Sequence, residues 1–348
     1  MKNLKPQFDF DDILIVPKYK THINSRYQGI QLPKKLPLFT APMDTVVNEY
    51  NYQIFLDAGI GVTLPRTIKH DYIIDLPHGV FVSMGFSDLD HELKTSLRNI
   101  RKDAHILIDV ANGHMQKVFD YARDIKRWRP DIVLMVGNIG NPKTYEWYAK
   151  AECVDYIRVG IGNGGGCLTT KQSGIGYPMA SLINATYETK KKFIKENPDK
   201  KAPAIVADGG MKDYSDIVKS LALGADYVMI GSIFNKCLES CAQNYLYKIR
   251  INKKLASYFF AKGYSVKKYF RGMSTKDAQK AMGKTSFKTS EGVVRYRKVE
   301  YRLDGWVENF NHYLRNAMSY CDAKTLQNFI GDTDAIQITT KAYDRFNK

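Results

Sequence analysis

Apolar positions gather into eight short runs: LFTAP (38–42), IGVTL (60–64), VFVSM (80–84), HILIDV (105–110), IVLMVG (132–137), DYIRVG (155–160), AIVAD (204–208) and DYVMIG (226–231). They recur at intervals of 20 to 27 residues, with one wider gap of 49 before the seventh. Runs this short and this continuously apolar suit strands buried on both faces. The stretches between them carry a helical period. Over 115–129, Val118, Ala122, Ile125 and Trp128 fall on one face. Over 213–223, Asp213 can cap a helix, Ile217, Val218 and Leu221 share a face, and Gly224 can close it. Strands alternating with helices make a parallel sheet, because parallel neighbours need a crossover. Eight near-even units predict an α/β fold of the closed (β/α)₈ barrel type, one domain over 1–348, in preference to an open doubly wound sheet.

Two segments exceed what such a barrel needs: 161–203 after the sixth strand, and the tail after the eighth, including 262–310. Both leave the C-terminal ends of strands, where barrels carry their active sites. They are read as an active-site loop (160–178) and a mobile lid (about 262–305). The composition, 44% hydrophobic and 25% charged, is that of a globular chain and excludes disordered, collagen-like and disulfide-scaffold proteins. No apolar run approaches the ~18–20 residues that cross a bilayer, and the N-terminal MKNLKPQFDFDDILIVPKYK has acids and prolines where a signal peptide is apolar. Five scattered cysteines (153, 167, 237, 241, 321) read as reduced thiols. A cytoplasmic protein without a membrane partner is expected. Cys237 and Cys241 stand at i, i+4 on an expected helix with no pair of histidines, so no zinc site is expected.

Charge changes the picture modestly. There are 52 basic against 36 acidic residues, a net +16. The basic residues lie in short, separated groups such as KKKF (190–193) and NKK (252–254), which read first as solvated surface. No nucleic-acid-binding motif accompanies them, so a nucleic-acid partner is not expected and a small phosphorylated ligand is.

Three motifs carry candidate chemistry. RVGIGNGGGCLTTKQSGIGYP (158–178) holds glycines at 160, 162, 164, 165, 166, 174 and 176, a backbone that can approach a ligand closely. Gly160-x-Gly162-x-x-Gly165 matches a dinucleotide fingerprint only formally, since no apolar helix follows it. Cys167 in this loop, with Thr169 two residues on, is a candidate nucleophile; the bland alternative is a small buried residue. VADGG (206–210) and IGS (230–232) follow the seventh and eighth strands, where barrels commonly bind phosphate. Asp208 suits a ribose diol rather than a phosphate. YFRGMSTKDAQKAMGKTSFKTSEGVVRYR (269–297) lacks sustained periodicity and reads as a lid that can bring Glu291 into the site.

FDFDDILIVPK (8–18), APMDTV (41–46), DVANGH (109–114), VGNI (136–139), the Cys loop, VADGG, MIGS and FRGMS (270–274) together resemble the IMP dehydrogenase/GMP reductase family, in that family's order. The resemblance runs from residue 8 to IQITT near the end, and it implies a (β/α)₈ barrel, usually tetrameric. It implies that Cys167 attacks C2 of a purine nucleotide beside the Thr169 hydroxyl. It places Asp208 on the ribose, and Gly165, Gly209, Gly210, Gly231 and Ser232 around the 5′-phosphate. Gly272 and Met273 would meet the base. Asp109, Ala111, Asn112, Gly113 and Lys288 would face the dinucleotide. A monovalent cation, K⁺, at the backbone of Gly160, Gly162 and Cys167 is also implied.

Within the family, four features resemble the reductase branch. They are the lack of an inserted CBS-type regulatory domain, the wording DVANG and SGIGYP, Ser-Glu-Gly at 290–292, and no Arg-Tyr pair ahead of that position. The implied reaction is reductive deamination of GMP to IMP and ammonia with NADPH, NADH or NAD remaining open, and Glu291 and Thr169 as proton sources. Three alternatives remain: an IMP dehydrogenase without the regulatory domain, an enzyme of a deoxy or modified purine nucleotide, and an inactive nucleotide-binding protein. The second is motivated by Gly162-Asn163-Gly164-Gly165, where the family usually reads Gly-Pro-Gly-Ser and uses the Ser as a phosphate ligand.

Overall fold

In a barrel whose strands are covered outside by helices and filled inside by side chains, both strand faces must be apolar. This chain meets that requirement with two sets of residues of opposite parity. A computed structural model describes residues 5–68, 78–95, 100–282 and 292–346. A short strand β1 (Ile13–Ile15) precedes the barrel strands β2 (Leu38–Thr40), β3 (Val62–Leu64), β4 (Val80–Met84), β5 (His105–Asp109), β6 (Val133–Ile139), β7 (Tyr156–Val159), β8 (Ala204–Asp208) and β9 (Tyr227–Ile230). All pairs are parallel, in the order β2-β9-β8-β7-β6-β5-β4-β3. A bridge between Phe39 and Gly61 closes the ring between β2 and β3. The eight expected strands are all present, and the (β/α)₈ class is the observed one.

The inward parity supplies Phe39, Phe81, Leu107, Met135, Val206 and Met229, packed with Tyr156 and Tyr227. Phe39, Phe81 and Tyr156 meet edge to face at centroid distances of 5.4–6.0 Å. This plug fills the lower barrel. The outward parity, including Leu38, Val82, Ile106, Ile108, Leu134, Ile157, Ile205 and Val228, is buried under the helices. One step further along the same inward parity the residues turn polar: Ser83, Asp109, Arg158 and Asp208 stand two positions after Phe81, Leu107, Tyr156 and Val206.

The expected helix over 115–129 is Gln116–Trp128, with Val118, Ala122 and Ile125 buried. Trp128 is a correction: it is 60% exposed, because it is the last residue of the helix and the buried face stops at Ile125. The helix Tyr214–Ala222 is capped by Asp213, which accepts from the amides of Ser215 and Asp216.

The tail also departs from expectation. Strands β10 (Asn244–Leu246), β11 (Ile249–Ile251), β12 (Lys267–Arg271) and β13 (Val294–Lys298) form an antiparallel sheet in the order β11-β10-β12-β13. The alternation in β12 is concealed because one of its two buried residues is Lys268, beside Phe270. Lys268 sits there by donating to the carbonyls of Leu238 and Ser240 at 3.0 and 2.6 Å, and burial pulls its ammonium down to about 8. The segment around Cys237 and Cys241 is a turn region, not the expected helix, and Cys237 bridges to Tyr301. A long helix, Leu303–Tyr320, closes the barrel's outer ring with Leu303, Trp306, Phe310, Leu314 and Met318 buried. Finally β14 (Ala335–Gln337) pairs antiparallel with β1. Among the described residues, no helix is long and apolar enough to cross a membrane.

Candidate active site

At the C-terminal ends of the strands, above the aromatic plug, lies a cavity of about 510 Å³. Cys167, Thr169, Asp208, Gly209, Gly210, Gly231, Ser232, Gly272, Met273, Gly165, Asp109, Ala111, Gly160 and Gly162 all line it. Residues that the sequence spreads over more than 160 positions thus share one wall. Asn112 and Gly113 do not line it. Asn112 Oδ1 accepts from the His114 amide at 3.1 Å, and the Gly113 amide donates to the Asn138 carbonyl at 2.8 Å, so both build the turn behind the wall. Glu291 and Lys288 lie outside the described residues.

The thiol end is assembled by backbone. The Cys167 amide donates to the Gly164 carbonyl, which folds the loop tightly, and the thiol donates to Thr169 Oγ1 at 3.2 Å. The chain after 291 is stitched to this loop: Gly292 bridges Cys167, the Val293 amide donates to Gly166, and the Gly272 amide donates to Val293. Gly272 has to be glycine for this approach, since a Cβ there would stand 2.5 Å from the Gly166 carbonyl. The other cysteines are poor nucleophiles by comparison. Burial pushes the Cys153 thiol up to about 11 and those of Cys237 and Cys241 up to about 12. Cys167 is half-buried and faces the cavity.

The polar layer is organised by Arg158, which is 5% exposed. Its Nη1 donates to Asp109 Oδ1 at 2.7 Å, and its Nη2 and Nε donate to Asp208 Oδ2 at 2.7 and 3.2 Å. Burial alone would lower its pKa, but the two carboxylates overcome that and raise it. Two half-buried carboxylates flank one buried cation, and this pairing lets the guanidinium stay charged in the interior. Arg66 adds a second guanidinium, 3.5 Å from Asp109 Oδ2. Asn138 donates from Nδ2 to both Asp208 Oδ2 and the Gly160 carbonyl at 2.8 Å, joining the ends of β6, β7 and β8. Asp208 Oδ1 accepts from no protein donor among the described residues, so one carboxylate oxygen remains available for a ligand.

The glycine turns after β8 and β9 complete the far wall. Gly209 adopts φ +93°, and a Cβ there would lie 2.9 Å from the Gly164 nitrogen, so side-chain-free backbone is required where the two loops meet. At the near edge, Arg271 forms an ion pair with Asp44 that ties β12 to the loop after β2. His114 fixes the loop after β5: its Nδ1 bonds Thr144 Oγ1 at 2.7 Å and its Nε2 accepts from the Gly140 amide at 2.9 Å. Burial lowers its pKa, consistent with this neutral pairing.

Arg66, Asn138 and the organising role of Arg158 were not legible as site features in the sequence. Asn138 lies in the VGNI motif and Arg158 two positions after an inward aromatic, so strand parity was the available signal. No cluster of three or more His, Cys, Asp or Glu side chains able to hold a metal exists among the described residues.

Comparison with known proteins gives a consistent result. The IMP dehydrogenase / GMP reductase domain model matches residues 79–345. A GMP reductase of Streptococcus agalactiae serotype V is 29% identical over 341 residues, covering 94% of both chains. A GMP reductase of Streptococcus suis is 31% identical over 261 residues, covering 69% of this chain and 73% of its own. An inosine-5′-monophosphate dehydrogenase of Chlorobaculum tepidum is 30% identical over 236 residues, 68% of this chain and 45% of its own.

Proposed function

The chain belongs to the IMP dehydrogenase / GMP reductase family, and from that premise we propose that it is an NADPH-dependent reductase converting GMP to IMP and ammonia through a covalent bond to Cys167. The family places it among oxidoreductases of purine nucleotides that use a nicotinamide dinucleotide. One observation carries the finer reading: a single cavity gathers a thiol, its hydroxyl neighbour, a carboxylate with a free oxygen and two glycine turns. These are the groups that a purine, a ribose and a 5′-phosphate need in that order. Similarity to proteins named GMP reductase over 94% of the chain supports the branch, as do DVANG, SGIGYP and Ser290-Glu291-Gly292.

Asp208 Oδ1 would accept from the ribose hydroxyls, and Gly209, Gly210, Gly231 and Ser232 would surround the phosphate. Gly272 and Met273 would meet the base. The Cys167 thiolate adds to C2, the exocyclic amine takes a proton and leaves as ammonia, C2 accepts hydride, and the C–S bond breaks to return thiolate and IMP. Asp109, Val110 and Ala111, which line the cavity, would hold a reduced nicotinamide, and that group supplies the hydride when bound. In the resting site the thiol donates to Thr169 Oγ1; once sulfur is ionised, the same hydroxyl turns to donate to it. Thr169 and Glu291 supply the proton to the departing amine. Glu291 enters this reading through its chain neighbour Gly292, which is paired with Cys167. Arg158 holds Asp208 and Asp109 apart and in place.

K⁺ at the carbonyls of Gly160, Gly162 and Cys167 belongs to the same proposal; the Gly160 oxygen already accepts from Asn138, which fixes its direction. A homotetramer and a cytoplasmic location complete it.

A second reading rests on Gly165, which has no side chain to offer the phosphate: the substrate is then a deoxy or modified purine nucleotide. The deciding experiment follows the reduced-nicotinamide absorbance of the reduced protein in parallel mixtures. Loss of signal with GMP and NADPH, with ammonia released, is expected. Gain of signal with IMP and NAD would move the chain to the dehydrogenase branch. Turnover of GMP equal to or better than its deoxy analogue would dismiss the second reading. Silence in both mixtures despite nucleotide binding would indicate a different substrate or a binding protein.

A further inference from the structure

We infer that Arg297 is the cationic anchor for the substrate's phosphate, in the place that the side-chain-free Gly165 leaves open. The inference deepens the reading of the cavity as a nucleoside monophosphate site and rests on it.

Arg297 comes from β13, in the tail sheet, yet it reaches the barrel's phosphate end. Its guanidinium carbon lies 4.0 Å from the centroid of the Phe270 ring, and Phe270 lines the cavity. Its Nη1 is 3.5 Å from the Ser232 carbonyl. Its Nη2 lies 3.4 Å from where a Cβ on Gly165 would stand. Arg297 thus contacts two cavity-lining residues, Phe270 and Ser232, and faces the side-chain position left empty at a third, Gly165.

The charge is unanswered. Among the described residues Arg297 forms no ion pair with a carboxylate, unlike Arg158, Arg129 and Arg271, which all do. Burial disfavours its charged form and Arg295 adds repulsion, with Glu300 and Tyr301 opposing more weakly. A half-buried guanidinium stacked on an aromatic face, with one long bond to a carbonyl and no carboxylate partner among the described residues, is a costly arrangement, which a phosphate would relieve. The surroundings match an anion. The amides of Gly209, Gly210 and Gly231 donate to no protein acceptor among the described residues, although all three line the cavity. Glycine at 165 removes the side chain that would separate the guanidinium from these amides. Stacking on Phe270 fixes the plane of the fork, so that two parallel N–H groups can meet two phosphate oxygens.

Calorimetric binding of GMP, guanosine and inorganic phosphate to the full-length protein and to Arg297→Gln, Arg297→Lys and Gly165→Ser/Arg297→Gln tests this. The expected result is a roughly 30-fold loss of GMP affinity in Arg297→Gln, as for removal of one charge-assisted anchor. Guanosine affinity should change less than twofold. Arg297→Lys should fall between, since it keeps the charge and loses the fork. A serine hydroxyl at 165 should recover part of the loss in Arg297→Gln. Equal losses for GMP and guanosine, or no loss for either, would overturn the role of Arg297. Wild-type protein binding GMP no more tightly than guanosine would instead overturn the phosphate site itself. Unchanged thermal midpoints and retained guanosine binding report that the variants are folded.

Discussion

The plug and the layer above it are made by the same strands, two residues apart, and they solve opposite problems. Phe81, Leu107, Tyr156 and Val206 fill the lower barrel with apolar volume. Ser83, Asp109, Arg158 and Asp208, next along the same inward face, are polar instead, with Arg158 buried between two half-buried carboxylates. The lower layer needs only size and shape, so many apolar residues serve. The upper layer works only as a set, because any one charge without its partners is far less stable in that position. Under the proposed function these four strands separate stability from chemistry along their length, and substitutions on the two sides of this boundary should fail differently.

The largest effect belongs to the rim. Cys167→Ala should reduce turnover of GMP by at least roughly 10³-fold while leaving the thermal midpoint near wild type, because among the described residues the thiol's side-chain bond is to Thr169 alone. Steady-state kinetics and a melting curve on the same preparation check both halves. A step below, Arg158→Met leaves Asp109 and Asp208 facing each other without the cation between them. A loss of about 3–5 kcal/mol in urea unfolding is expected, together with loss of activity. Phe81→Ala in the plug should cost about 3–5 kcal/mol as well, from the removed ring and the residual cavity. Its distinguishing mark is kinetic: the folded fraction should keep a kcat within a few-fold of wild type. If Phe81→Ala abolished kcat in fully folded protein, the boundary between the layers would not exist.

The smallest effect sharpens what Arg158 does. Asp216 is a buried carboxylate without a guanidinium, and burial raises its pKa to about 6, with the Lys212 amide pulling the other way. The folded state then holds this proton to higher pH than the unfolded state does. Stability from this group is present below the unfolded value near 4 and is lost as pH rises through about 6. Asp216→Asn should flatten that decline between pH 4 and 7 by about 1–3 kcal/mol, at about 1.4 kcal/mol per unit. Urea midpoints at several pH values read it directly.

How far the sequence disclosed this arrangement follows from the same physics. Strands buried on both faces advertise themselves as unbroken apolar runs, and all eight were legible. Cys167, Asp208 and the glycine turns were legible because glycine and a lone thiol stand out in a loop. The tail sheet was not, since Lys268 occupies a buried position of β12 and conceals the alternation. The pairing of Arg158 is hidden in the sequence, because its partners Asp109 and Asp208 lie 49 and 50 positions away and come beside it only when β5, β7 and β8 are assembled into the sheet. Trp128 misleads in the opposite sense, extending the apolar stripe of its helix past Ile125, the last residue buried on that face. The helix Leu303–Tyr320 had a regular apolar period that the polar stretch before it obscured.

The central claim is that this rim performs covalent chemistry on a purine nucleotide through Cys167. Its most direct test mixes the reduced protein with IMP and NADP⁺ in the absence of ammonia, quenches with acid, and reads the intact mass and the Cys167 peptide. The account predicts a purine nucleotide attached to Cys167 with one equivalent of reduced nicotinamide formed, and neither product with Cys167→Ala. Nucleotide bound at the site with no adduct on Cys167 and no nicotinamide reduced would contradict it.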